Sequence, residues 1–203
     1  MFYAPGERDR TRLPHDPFKA LVAPRPIGWI STRGLDGSVN LAPYSFFNAV
    51  CDSPPMVLFS STGRKDTLTY ALERGEFTWN LATRALAEAM NETCAPLPRG
   101  VSEFERAGLA LAEGVAVETP RVAASPASLE CVVVGHERLR DRHGRDLDQW
   151  TVTGEVVGVH LDEGLLTPDG RFDTRAAAPL MRAGYRDEYL VADTPLAMLR
   201  PEL

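Results

Sequence analysis

The segment with the densest potential for chemistry is Ser60-Ser61-Thr62-Gly63-Arg64-Lys65-Asp66-Thr67. It follows an apolar run and leads into a stretch with helical spacing. It brings together hydroxyls, two cations, a flexible glycine and the free N–H groups of a helix start. Cations supply charge and the N–H and O–H groups supply directed donors, the set a phosphate dianion needs. The plainer alternative is a solvated turn with an ordinary helix cap. A second stretch, Asn40-Leu41-Ala42-Pro43-Tyr44-Ser45-Phe46-Phe47-Asn48, mixes apolar planes with small polar groups at a strand end. Such a surface can flank a planar heteroaromatic and hydrogen-bond its edge. It reads equally as a core strand pair with a proline corner.

Other kinds of chemistry find no support in the motifs. No G-x-G-x-x-G follows a strand, so a Rossmann nicotinamide domain is excluded, and no G-x-x-x-x-G-K-[ST] or G-x-S-x-G occurs. His15, His136, His143 and His160 are scattered, with no metal-ligand spacing. Cys51, Cys94 and Cys131 form no C-x-x-C pair and read as buried free thiols. The carboxylates Asp141 and Asp146, and Glu103 and Glu105, lie in polar segments and read as solvated surface. No catalytic side chain and no metal site are expected.

Composition narrows the class. The chain has 203 residues, a net charge of -6, 44% hydrophobic and 25% charged residues. Those are ordinary globular values and suit one generous domain, 1–203, whose residues 1–17 form an extended arm. The acidic balance argues against nucleic-acid binding. No apolar run reaches the roughly 18 residues of a membrane span, and no signal-peptide core opens the chain, so a cytoplasmic protein is expected. Only Lys19 and Lys65 are lysines among the 22 basic residues.

The elements that must position these groups are mostly strands. Pro26 to Thr32 carries apolar side chains on both faces and reads as a strand buried on both sides. Asp36-Gly37 marks a hairpin turn, because its central residues need positive φ. Strands follow at Val39 to Ala42, Phe46 to Val50 and Met56 to Ser60, the last two separated by Pro54-Pro55, which should prevent regular pairing. A helix opens with Asp66 as N-cap, carries Leu68, Ala71 and Leu72 as its apolar stripe, and stops at Gly75. Phe77 to Leu81 reads as a strand, Arg84 to Cys94 as a helix, and Ser102 to Glu105 as a capping box. Ser128 to Arg140 and Gln149 to Leu161 read as a long antiparallel hairpin. So many strands with few helices imply a mainly β, antiparallel fold that closes into a barrel with peripheral helices.

Taken in order, these stretches resemble the flavin reductase-like proteins. The likeness runs through Pro24-Arg25-Pro26-Ile27-Gly28-Trp29-Ile30-Ser31-Thr32, Asp36-Gly37, the Asn40 to Asn48 stretch, Pro54-Pro55 and Lys65-Asp66-Thr67. It continues through Glu76-Phe77 with Asn80-Leu81, Ser102-Glu103-Phe104, Pro120-Arg121, Leu129-Glu130-Cys131 and Gly154 to His160, and covers residues 18 to 190. The resemblance implies a six-stranded antiparallel Greek-key split barrel of the FMN-binding type, and a homodimer with FMN near the subunit interface. Ser31 and Thr32 would lie along the flavin's strand-side wall. Asn40, Ala42, Pro43, Ser45 and Phe46 would approach the ring system and ribityl chain. Ser60, Thr62, Arg64, Lys65 and Thr67 would hold the phosphate, with Asp66 capping the helix. Pro179 to Tyr185 resembles the family's closing motif, making Arg182 and Tyr185 cofactor neighbours. The implied activity is FMN-dependent flavin reduction by NADH or NADPH, with electrons passed to free flavin, a partner monooxygenase or another acceptor. The alternative is an FMN-binding electron carrier that does not oxidise NAD(P)H itself.

Overall fold

The computed structural model describes residues 1–201. Its centre is one antiparallel sheet of seven strands: β1 Gly28–Arg33, β2 Val39–Tyr44, β3 Phe47–Asp52, β4 Pro55–Thr62, β5 Glu76–Asn80, β6 Ala127–Arg140 and β7 Asp146–Leu161. The spatial order is β2-β1-β5-β6-β7-β4-β3. The two end strands are β2 and β3, consecutive in the chain and joined by Ser45 and Phe46 alone. A flat sheet of this width would separate them by roughly 29 Å at about 4.8 Å per strand. Two linking residues span at most about 10 Å, so the sheet must curl until its ends meet. The result is a barrel split between β2 and β3. It has one strand more than the six expected, and β3 is the nearly fully exposed edge.

Alternation along β1 divides the interior. Ile30 enters the barrel with Tyr44, Val57, Phe59, Phe77, Cys131 and Val152. Trp29 points the other way and packs with Ile27, Leu41, Met90, Phe104, Val122 and Leu180. The expected two-faced burial of this strand is therefore what the barrel requires. Helix α1, Asp66–Arg74, inserts Leu68 and Ala71 into the barrel core and ends at Gly75, whose φ of 74° suits glycine.

Several local expectations are corrected. Lys65, rather than Asp66, occupies the cap position of α1, and no side chain caps it, leaving the first N–H groups of the helix unclaimed by a side chain. Residues 84–94 form a 3-10 turn, Arg84–Leu86, followed by a short helix α2, Ala87–Glu92. Helix α3, Glu103–Arg106, starts after Ser102, but the Ser102 side chain makes no cap hydrogen bond. The prolines do not interrupt pairing: Asp52 faces Pro55 across the ladder, with Ser53-Pro54 as the turn. Pro55 stands at the first residue of its strand, where a missing N–H does least harm. The long hairpin of β6 and β7 forms as read. Residues 1–17 contain a 3-10 turn at Pro5–Glu7 and otherwise no helix or strand. Near the C-terminus, Leu180–Arg182 pairs with Arg25–Pro26 and with Tyr189–Val191 in a small separate sheet.

Candidate functional site

A cleft of about 450 Å3 opens where the start of α1 meets β2. Asn40, Ala42 and Pro43 come from β2, Lys65 and Thr67 from the start of α1, and Arg99 and Glu103 from the opposite wall. The two sides are tied together. The Asn40 side-chain amide donates to Thr67 Oγ1 at 2.6 Å. Burial pushes the Tyr44 phenol up, against the opposing hydrogen bonds of Thr67 and Ser61. The amide N–H of Leu41 donates to Glu103 Oε2 at 2.9 Å, which anchors β2 from α3.

The charges of the cleft are arranged unequally. Lys65 is exposed and, among the described residues, forms no ion pair. Asp66 has Arg99 at 3.6 Å, and that guanidinium also sits 5.8 Å from the centre of the Tyr70 ring. Burial pushes the Glu103 carboxyl up, opposed by backbone hydrogen bonds and reinforced by the nearby Asp66 charge. Asp66 is thus paired with Arg99, whereas Lys65 stands at the helix start without a carboxylate partner among the described residues.

A second cleft of about 360 Å3 adjoins the first and shares Pro43, Tyr44 and Cys94 with it. Ser45, Arg182 and Tyr189 belong to this second space. Arg182 lies over the Tyr189 ring at 4.6 Å.

The structure gathers Asn40, Ala42, Pro43, Ser45, Lys65, Thr67 and Arg182 around these connected spaces. It turns other expected residues elsewhere. Ser31 is fully buried on the face opposite the barrel core, donates to Pro120 O at 2.5 Å and accepts from Asn80 Nδ2 at 3.1 Å. Thr32 is also fully buried, and its hydroxyl has no hydrogen-bond partner among the described residues. Ser60 and Thr62 point away from the barrel interior, where the Gln149 amide bonds both hydroxyls at 2.6 and 2.7 Å. Arg64 stacks 5.7 Å from the Trp150 ring. Phe46 lines a separate shallow groove with residues 22–26 and has the Lys19 ammonium 5.9 Å from its ring. Tyr185 is exposed and meets His15 edge-on at 5.9 Å, while Tyr189, four residues later, takes the place in the cleft.

Two further readings are corrected. Glu103 is buried rather than a solvated surface carboxylate. Of the three cysteines only Cys131 is buried; Cys51 and Cys94 are exposed, and Cys94 lines both clefts. Tyr44 lies inside the Asn40 to Asn48 stretch and Glu103 inside the Ser102 to Glu105 motif, but no local signal points either Glu103 or Arg99 at the cleft, because both reach it only when their segments fold back over β2.

Known proteins share this architecture. The flavin reductase like domain family matches residues 21–181. An uncharacterized protein of Deinococcus radiodurans is 36% identical over 201 residues, covering 89% of this chain and 83% of that protein. Nitrilotriacetate monooxygenase component B from Bacillus cereus superposes with a TM-score of 0.85 at 29% identity, covering 98% of each chain. The flavoredoxin of Desulfovibrio vulgaris (Miyazaki F) shares the fold with a TM-score of 0.78 at 23% identity, covering 98% of this chain and 97% of its own. With the family match extending from the arm's end to the C-terminal sheet, this chain belongs to the flavin reductase-like family.

Proposed function

We propose that the protein is an FMN-dependent oxidoreductase that takes reducing equivalents from NADH or NADPH and passes them to free flavin or a partner monooxygenase. The observation that carries this reading is the joining of a cationic helix start to a long apolar strand wall in one cleft. Lys65, the Thr67 hydroxyl and the first N–H groups of α1 form the donor set of a phosphate monoester site. Thr67 accepts from Asn40 and lines the cleft beside Lys65. Ala42, Pro43 and Tyr44 supply a largely apolar wall beside it. The residues therefore fit a flavin mononucleotide.

When bound, FMN supplies two-electron chemistry by accepting a hydride and then releasing electrons to an acceptor. The chain's own part is to hold the phosphate through Lys65 and Thr67, and to keep β2 in place through Asn40 and Glu103. Such a transfer requires no side-chain acid or base. The family and the likeness to a monooxygenase component B support an electron-supplying role. A homodimer in the cytoplasm is part of the same proposal.

The test is anaerobic titration of the purified, flavin-loaded protein with NADH and with NADPH. Bleaching of the flavin absorbance is the expected outcome. A flavin-loaded protein that neither nucleotide bleaches is an electron carrier instead, and a protein that binds no flavin overturns the reading altogether.

A further inference from the structure

The second cleft has an unusual charge arrangement. Arg182 and Arg186 both line it, and among the described residues neither has a carboxylate within 4.0 Å. Asp187 lines the same cleft but lies outside that distance from both. Nearby, the Arg25 guanidinium is buried and donates to the backbone carbonyls of Lys19, Val22 and Ala183, again with no carboxylate partner among the described residues. Burial first, and then the charge of Arg182, lower its pKa, so the two guanidinium groups are close enough to repel. Acidic residues outnumber basic ones by 28 to 22 in this chain, so carboxylates were available to neutralise these arginines.

Arg182 is also held ready. Its guanidinium rests on the Tyr189 ring at 4.6 Å and donates to Glu188 O and Tyr185 O at 3.4 Å. A planar fork fixed in this way loses little freedom when it meets an oxyanion. The cleft continues into the candidate cofactor cleft past Pro43, Tyr44 and Cys94. A molecule with its anionic part at the arginines can therefore reach the cofactor with its other end. A pyridine dinucleotide has that shape, and the chain contains no G-x-G-x-x-G turn to take the pyrophosphate.

We propose that Arg182 and Arg186 form an anion subsite that binds the phosphate-bearing part of NADH or NADPH while its dihydronicotinamide ring enters the cofactor cleft. The proposal rests on the flavin-dependent function above. It assigns Arg186, on the loop between the two C-terminal strands, a role in donor recognition separate from FMN binding.

Arg186→Ala tests it, because Arg182 also packs on Tyr189 and its removal would disturb the fold. The flavin-loaded wild type and variant are compared anaerobically with NADH, NADPH and the phosphate-free donor N-benzyl-1,4-dihydronicotinamide. NADP+ affinity is measured in parallel by calorimetry. Loss of one charge-assisted contact predicts about a tenfold weaker NADP+ affinity and the same rise in the ratio of NADPH to phosphate-free donor KM. Arg186→Lys should recover part of that loss. Equal changes for all donors, or unchanged NADP+ affinity, overturn the subsite, as does a variant that alters only the KM of a carboxylate-bearing acceptor. Failure of the underlying function shows separately, as wild-type protein that does not bind flavin or is not reduced by any donor.

Discussion

Single residues divide the marked phosphate segment into those that face the cleft and those that do not. Lys65 faces it as an unpaired cation; Arg64, its neighbour, is spent on Trp150. Lys65→Ala is expected to weaken FMN binding by about 1 to 3 kcal/mol, the worth of a charge-assisted contact. Arg64→Ala should change it by less than about 0.5 kcal/mol. Fluorescence-quenching titrations of both variants decide the matter, and the reverse order would move the phosphate to the Trp150 side of β4. The cysteines provide a second check. Burial pushes the Cys131 thiol up to about 12, which leaves it inert; Cys51 and Cys94 are exposed, with partial burial raising the Cys94 thiol as well. A chromogenic disulfide reagent should therefore label Cys51 and Cys94 in the native protein and Cys131 only after unfolding. Because Cys94 lines the cleft, FMN should slow its labelling and leave Cys51 unaffected.

At the scale of elements, the barrel depends on close approaches that only particular residues permit. A Cβ on Gly154 of β7 would stand 2.5 Å from the Phe77 ring and 3.0 Å from the Cys131 Cβ. Gly154→Ala is expected to cost about 1 to 3 kcal/mol in thermal unfolding. Gly135 on β6 has open space at the same position, so Gly135→Ala should fall within about 0.5 kcal/mol of the wild type. Comparable losses at both positions would remove the packing explanation.

Glu130, fully buried on β6, holds the 115–117 loop to the sheet. It accepts the N–H groups of Val115, Ala116 and Val117 and is bonded to His160 of β7. Burial alone would raise its carboxyl, but the bonds from His160 and the three backbone N–H groups overcome this and hold it below the ordinary carboxylate range. A group with its folded pKa lowered stabilises the fold above its unfolded pKa, near 4.3, and loses that contribution as pH falls through the folded value. Urea midpoints should therefore decline from pH 5 toward pH 3 in the wild type. Glu130→Gln, which sets an amide among the same donors, should lower stability at neutral pH by about 2 to 3 kcal/mol and flatten that decline. An unchanged slope would show that other carboxylates govern the acid limb.

For the whole molecule, the curl of the sheet leaves apolar side chains outside it. Val134 and Val159 on the long hairpin are 51% and 60% exposed, and Val50 on the edge strand β3 is 52% exposed. An unpaired edge strand beside exposed valines invites a second copy. Light scattering of the flavin-loaded protein is expected to give twice the 22.3 kDa chain mass. A monomer with undiminished FMN affinity would place the whole cofactor site within one chain.

Much of this protein was legible along the chain because the signals are local. Strand periodicity, the Asp36-Gly37 turn, the Gly75 stop and the β6–β7 hairpin each depend on a few neighbouring residues, and their ordered series carries the family. The positions of Asn40, Pro43, Lys65 and Thr67 around one cleft follow from the same segments. Facing is another matter. Alternation sets Ser60 and Thr62 apart from Ser61, but which set faces outward is decided only when the sheet curls and brings Gln149 to the outer pair. Arg99, Glu103 and Tyr189 reach the clefts from distant segments, so no spacing within β2 or α1 could announce them. The sequence by itself determined the strands, the helix start and the family. The tertiary structure decided which side chains share that space, because closure of the barrel assigns each alternating residue an inside or an outside.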